Sequence, residues 1–228
     1  MKKISCFILL TLLLLLPNTI YAHQGIFING TNNSIDESHE IEDIEESKAI
    51  YSRILEEGQI DYYTFTAQEG QVFYSQIMVP NTERDRDFML MKLVFGPFDD
   101  LIPNEYLDLV APFEHGYAVE PGNNRTRFFE PFTQTSYIKK QQISLEIPED
   151  GQYFIAVYNP FGQTGSYVLT VGKEESFGVQ ELLQYPATWF RVNYWFNPLR
   201  PFSILFIILV LLYLLFRILR SRRKKKRF

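Results

Sequence analysis

Apolar positions follow three patterns along the chain, and each predicts a different kind of element. Near the start, residues 7–16 ("FILLTLLLLL") form an almost unbroken apolar run. Between residues 49 and 171 the apolar positions come in short bursts rich in Tyr, Phe, Ile and Val, at 49–54, 61–67, 71–79, 88–95, 143–147, 152–158 and 166–171. From Pro201 to Phe216 ("PFSILFIILVLLYLLF") they become continuous again.

The middle pattern predicts strands. The bursts are too short for helices, and they are separated by Glu69-Gly70, Pro80-Asn81, Gly96-Pro97, Glu149-Asp150-Gly151 and Asn159-Pro160-Phe161-Gly162. Such residues supply the positive or fixed φ needed to reverse a chain. Many strands at this spacing favour an all-β sandwich or jelly roll over 23–172. In "YFIAVY", Tyr153, Ile155 and Val157 share one face, and Phe154, Ala156 and Tyr158 the other. Both faces are apolar, which predicts a central strand.

The two continuous runs predict different fates. Lys2 and Lys3, the apolar centre and Tyr21-Ala22 have the order of a cleaved secretory signal, 1–22, with Pro17 and Asn18 closing the run. The second run extends over 201–219 and is long enough for a helix to cross the ~30 Å hydrocarbon layer. It is followed by a basic tail, 220–228; from Arg217 on there are eight cations and no anion. That asymmetry places the C-terminus on the cytoplasmic side of a cell membrane crossed once, with the preceding domain outside. Trp189, Phe190, Tyr194, Trp195 and Phe196, in the juxtamembrane segment 173–200, fit an aromatic belt. In the same segment Ser176 is a possible helix cap, and Phe177, Val179, Leu182 and Leu183 make an apolar stripe, which predicts a short helix.

Charge sharpens the division. Two of the 22 Lys and Arg belong to the signal and eight lie from Arg217 on; the remaining 12 face all 27 Asp and Glu, so the outer part carries 12 − 27 = −15. This disfavours nucleic acid as a partner and favours a protein or glycan outside the cell. Cys6 is the only cysteine and lies within the signal. A mature chain beginning at His23 therefore has no disulfide and no thiolate site.

That cleavage point also raises a metal hypothesis. An N-terminal histidine offers copper an amine and an imidazole, and a brace requires a second imidazole from the fold. Only His39 and His115 remain; the candidate set is His23, His115 and Glu114. Asp85, Asp87, Asp99 and Asp100 lack the alternating spacing of a calcium loop, and no nucleophile or phosphate-loop motif occurs. Asn29, Asn32 and Asn124 fit glycan acceptor patterns.

Several short motifs recur together. Asp61, Tyr63 and Phe65 form Asp-x-Tyr-x-Phe; Gly151, Tyr153 and Val157 form Gly-x-Tyr-x-x-x-Val; Gly165, Tyr167, Leu169 and Val171 form Gly-x-Tyr-x-Leu-x-Val. In this order they resemble the bacterial pre-peptidase C-terminal domain, a secreted β-sandwich module, over residues 31–172. The resemblance implies an accessory, non-enzymatic role in secretion, adhesion or substrate contact, and it implies fold without a site. The chain departs from the pattern by a long irregular insertion, 97–137, in which Pro97, Pro103, Pro112, Pro121 and Pro131 alternate with eight aromatic residues. Those aromatics either pack the loop onto the sandwich or form an exposed binding face.

Overall fold

The computed structural model describes residues 24–28, 32–119, 126–174 and 179–225. The signal segment, His23, Asn29, Asn124, Ser176 and Phe177 lie outside them, as do the side chains of Val179, Leu182 and Leu183. In chain order the elements are β1 (Gln24–Phe27), β2 (His39–Glu40), β3 (Lys48–Ile54), β4 (Ile60–Ala67), β5 (Val72–Pro80) and β6 (Met91–Phe95). A 3-10 turn (Asn104–Tyr106) then leads into α1 (Leu107–Val110), followed by β7 (Gly116–Val119), β8 (Arg127–Glu130), β9 (Thr135–Glu146), β10 (Gly151–Tyr158) and β11 (Gly165–Val171). Two longer helices close the described chain, α2 (Val179–Phe196) and α3 (Arg200–Lys225).

The strands form two sheets, as the all-β reading requires. One has the order β1-β3-β11-β5-β9-β8 and the other β2-β4-β10-β6-β7. Strand alternation supplies the core between them. Ile50 and Ile54 of β3, Phe73 and Ile77 of β5, and Tyr167 and Leu169 of β11 meet Tyr63 and Phe65 of β4 and Tyr153 and Ile155 of β10. Phe65 stacks on Phe73 with ring centroids 4.6 Å apart. Each such side chain taken from water contributes about 1.5–3 kcal/mol. β10 is central, paired with β4 on one side and β6 on the other, and both of its faces are buried.

The second face of β10 explains the insertion. Phe154 and Ala156 join Leu93 and Phe95 in a second apolar layer with Ile102 and Val110, and Tyr106 and Phe113 pack against it. The insertion thus covers the outer surface of the five-stranded sheet. Packing accounts for most of its aromatics: Phe98 and Tyr137 are buried, Tyr106, Phe113, Tyr117, Phe128 and Phe132 are half-buried, and Phe129 alone is exposed. Nor is the segment irregular throughout, since β7 pairs with β6 and β8 with β9. Four-residue strands between prolines are too short to show a period of two, so sequence pattern does not reveal them.

β7 can pair only because of Gly116. Its φ is +151°, and a Cβ there would collide with the Val94 carbonyl and lie 2.7 Å from Phe95 Cα. Gly116→Ala is expected to cost about 2 kcal/mol and to loosen the insertion. Faster amide hydrogen exchange across 97–119 than in the parent checks this.

Residues 183–228 form a second compact unit. Pro186 lies inside α2, which is longer than the short helix expected. At Asn197 the chain turns: its Oδ1 accepts from Leu199 N–H (3.0 Å), and Pro201 stands in the first turn of α3, where a missing N–H costs nothing. Phe190, Tyr194 and Phe202 cluster at this bend, with the Phe190 and Phe202 rings edge to face at 5.5 Å.

Candidate functional site

The motif residues build a polar knot inside the sandwich. Asp61 is fully buried. Its Oδ2 accepts from Ser52 Oγ (2.7 Å) and Tyr167 OH (2.6 Å), and its Oδ1 from Gln59 Nε2 (2.7 Å). Tyr167 OH lies 2.6 Å from Tyr63 OH. Burial raises the Asp61 carboxyl above its ordinary range, against the three hydrogen bonds that favour the anion. Tyr63 and Tyr167 are pushed up as well, first by burial and then by neighbouring charge. All five residues of this knot are buried, so its work is to tie β3, β4 and β11 across the two sheets.

A second buried group lies deeper. Lys92 of β6 is fully enclosed, and its Nζ donates to Ser75 O (3.1 Å) and Ser75 Oγ (2.8 Å) on the opposite sheet. Desolvation lowers its pKa to about 7. Nearby in the same interior, Gln141 Nε2 donates to the carbonyls of Leu90 and Val119 (2.5 and 2.7 Å).

The accessible candidate is a groove on the outer face of the six-stranded sheet. In β5, Phe73, Ser75 and Ile77 point inward, so Tyr74, Gln76 and Met78 face out and form its floor. Thr170 continues the floor on β11, and Phe128 of β8 and Lys139 of β9 stand on one side. Gly172, at φ +76°, turns the chain after β11, and Lys173 N–H then donates to Glu45 O (3.0 Å). This turn holds the Lys173 ammonium 4.3 Å from the Tyr74 ring centroid, while Lys139 Nζ is 5.2 Å from that of Phe128. The groove is half open, with about 590 Å³ of space that includes bulk solvent at its mouth, and it shares Tyr74, Gly172 and Lys173 with a neighbouring hollow. It was illegible in sequence because it joins residues from four strands and from the turn after β11.

Of the residues proposed for copper, His23 lies outside the described residues. His115 and Glu114 immediately precede β7; Glu114 is exposed, and His115 is half-buried with an unpartnered Nδ1. His39 is on β2, edge to face with Tyr63 at 6.4 Å, and burial lowers its pKa. Among the described residues no three His, Cys, Asp or Glu side chains converge as a metal site would require.

Two other sequence candidates take structural roles. Asn32 is buried and its Nδ2, the atom a glycan would need, donates to Tyr62 O (3.0 Å), which corrects its reading as an acceptor site. Asp85 Oδ1 accepts from Ser166 N–H (2.9 Å) and fixes the start of β11.

No protein-family model matches the chain, and no curated protein sequence does. Among solved structures, the chain is similar to the periplasmic lysozyme inhibitor PliG of Aeromonas hydrophila, which inhibits g-type lysozyme (16% identity, 65% of this chain and 95% of that one, TM-score 0.32). It is also similar to CorA, a surface-associated copper-binding protein important in copper acquisition by Methylomicrobium album BG8 (8% identity, 67% and 99%, TM-score 0.27). A third similar structure is the pre-peptidase C-terminal domain of collagenase from Bacillus anthracis (12% identity, 60% and 97%, TM-score 0.38), which is of the family that the Asp61, Tyr153 and Tyr167 motifs resemble.

Proposed function

We propose that this protein is a non-enzymatic binding module, held at the outer surface of a cell membrane by α3 and engaging a protein or glycan partner outside the cell. The observation that carries the reading is the groove on the six-stranded sheet, an open concave surface with aromatic, amide and ammonium groups on one rigid face. The interior polar groups, by contrast, are consumed in holding the sheets together.

Anchoring is supported by α3. It is 26 residues long, roughly 39 Å at the α-helical rise. Its segment Arg200–Ile218 has a mean hydropathy of 2.5 and leaves the consecutive residues Phe206, Ile207, Ile208 and Leu209, which go round the helix, all exposed. A helix apolar all round is stable in lipid and not in water. The basic residues after Ile218 favour a cytoplasmic end.

Protease added to intact cells is expected to digest the sandwich and leave a fragment of the size of α3 and its basic end. Protection of the sandwich in intact cells, with digestion only after lysis, would refute this topology.

A further inference from the structure

We infer that the groove on the six-stranded sheet binds a linear polyanion with a hydroxylated backbone, the chemistry shared by acidic polysaccharides and polyol-phosphate polymers. This rests on the reading of the domain as an extracytoplasmic binding module and names its ligand class.

Charge placement carries the inference. The outer part of the chain has 12 cations against 27 acids, so a randomly placed lysine is surrounded by carboxylates. Yet the part of the groove floored by Gln76 and Thr170 is lined by two lysines and no acid. Neither Lys139 nor Lys173 is paired with a carboxylate among the described residues. Each ammonium is instead held over an aromatic ring, Phe128 or Tyr74. A ring positions a cation without neutralising it, and the acids Glu45 and Glu174 line the adjoining hollow beside Lys173 rather than this floor.

Spacing selects a chain over a single ion. Lys173 lies over Tyr74, and Lys139 is in register with Met78, four residues along β5. At the strand rise these two anchoring points are about 13 Å apart along β5. Two anionic groups on one extended molecule match that spacing. Between the lysines, Gln76 and Thr170 line the floor; Gln76 Nε2 donates to Gln142 Oε1 (3.3 Å) and Thr170 Oγ1 to Gln76 O (3.3 Å), so what they offer a ligand hydroxyl is acceptor oxygen.

The test is calorimetric titration of the full chain in neutral detergent micelles with four probes: a galacturonate oligomer, a glycerol-phosphate oligomer, neutral maltohexaose and inorganic phosphate. At least one oligomeric polyanion is expected to bind, and Lys139→Gln and Lys173→Gln are each expected to weaken it about tenfold, the double variant abolishing it. Arg86→Gln, an exposed cation beside Asp87 outside the groove, is expected to leave it unchanged. Binding of only the galacturonate or only the phosphate oligomer assigns the source. Equal binding of maltohexaose, binding by inorganic phosphate alone, no binding at all, or polyanion binding indifferent to both lysines overturns the inference. The protease experiment separates the two levels. If the sandwich proves external and no polyanion binds, only the ligand class falls; if it proves cytosolic, the module reading falls whatever the groove holds.

Discussion

Lys92→Met is expected to stabilise the sandwich by about 3 kcal/mol at pH 6, with the gain shrinking steadily toward pH 10. Lys92 is wholly buried and receives two hydrogen bonds' worth of compensation, both from Ser75. Asp61 is on the same inner face two strands away, but it is occupied by Ser52, Gln59 and Tyr167. The lysine therefore enters the fold without a counter-charge, and burial lowers its pKa from 10.5 to about 7. Below the folded value both folded and unfolded chains hold the proton, and the whole desolvation penalty is present. Between about 7 and 10.5 the unfolded chain binds the extra proton, so stability rises with pH across that window. The shift of 10.5 − 7 = 3.5 units corresponds to an upper limit of roughly 5 kcal/mol, at 1.36 kcal/mol per unit. Methionine fills similar space without charge and leaves Ser75 one partner short, which offsets about 1 kcal/mol. Urea unfolding of the full chain in micelles, followed by near-ultraviolet circular dichroism at pH 6, 8 and 10, measures the effect. A variant weaker than the parent at all three values would mean that the Ser75 bonds outweigh desolvation.

This lysine shows what the sequence conceals. "MKLVF" reads as an apolar strand with one polar residue, and nothing local says whether Lys92 faces water or the core. The answer depends on β7 covering that flank and β5 presenting Ser75, both set by distant pairing. β10 was legible because its own alternation is apolar on both sides. The turn glycines were legible for a similar reason, since φ is a property of one residue. β1, β2, β7 and β8 were not, because two to four residues cannot display a period and their partners come from elsewhere. The expected strand at 143–147 is the end of β9, whose earlier half, "TSYIKKQ", has too many polar residues to read as strand. Lys139 belongs to that half, so the groove stayed hidden along with it. Of the sites named from sequence, His115 and Glu114 were chosen by residue type alone, and their proposed partner His23 lies outside the described residues.

The Asp61 knot was legible as a motif and unreadable as chemistry until the strands were paired, and it supports the strongest loss. Asp61→Ala is expected to destabilise the sandwich by about 4 kcal/mol. The substitution strands three buried donors at once, Ser52 Oγ, Gln59 Nε2 and Tyr167 OH. Of these, Gln59 retains a bond to Arg53 O (3.0 Å), and Tyr167 retains Tyr63 OH. Ser52 loses its bond to the opposite sheet, and the place of the carboxylate becomes a void. Asp61→Asn keeps the volume and one acceptor oxygen, so it is expected to cost about half as much. The pair also separates charge from shape. Because burial raises the folded carboxyl pKa, the folded chain binds more protons between the unfolded and folded values, and parental stability falls as pH rises through that interval. The Asp61→Asn variant has no group to titrate there and is expected to lose this slope. Denaturant midpoints for the parent and both variants from pH 3.5 to 7 measure both quantities. If Asp61→Ala costs no more than Asp61→Asn, the hydrogen bonds are not what joins β3, β4 and β11. An unchanged slope in Asp61→Asn would place the titrating group elsewhere.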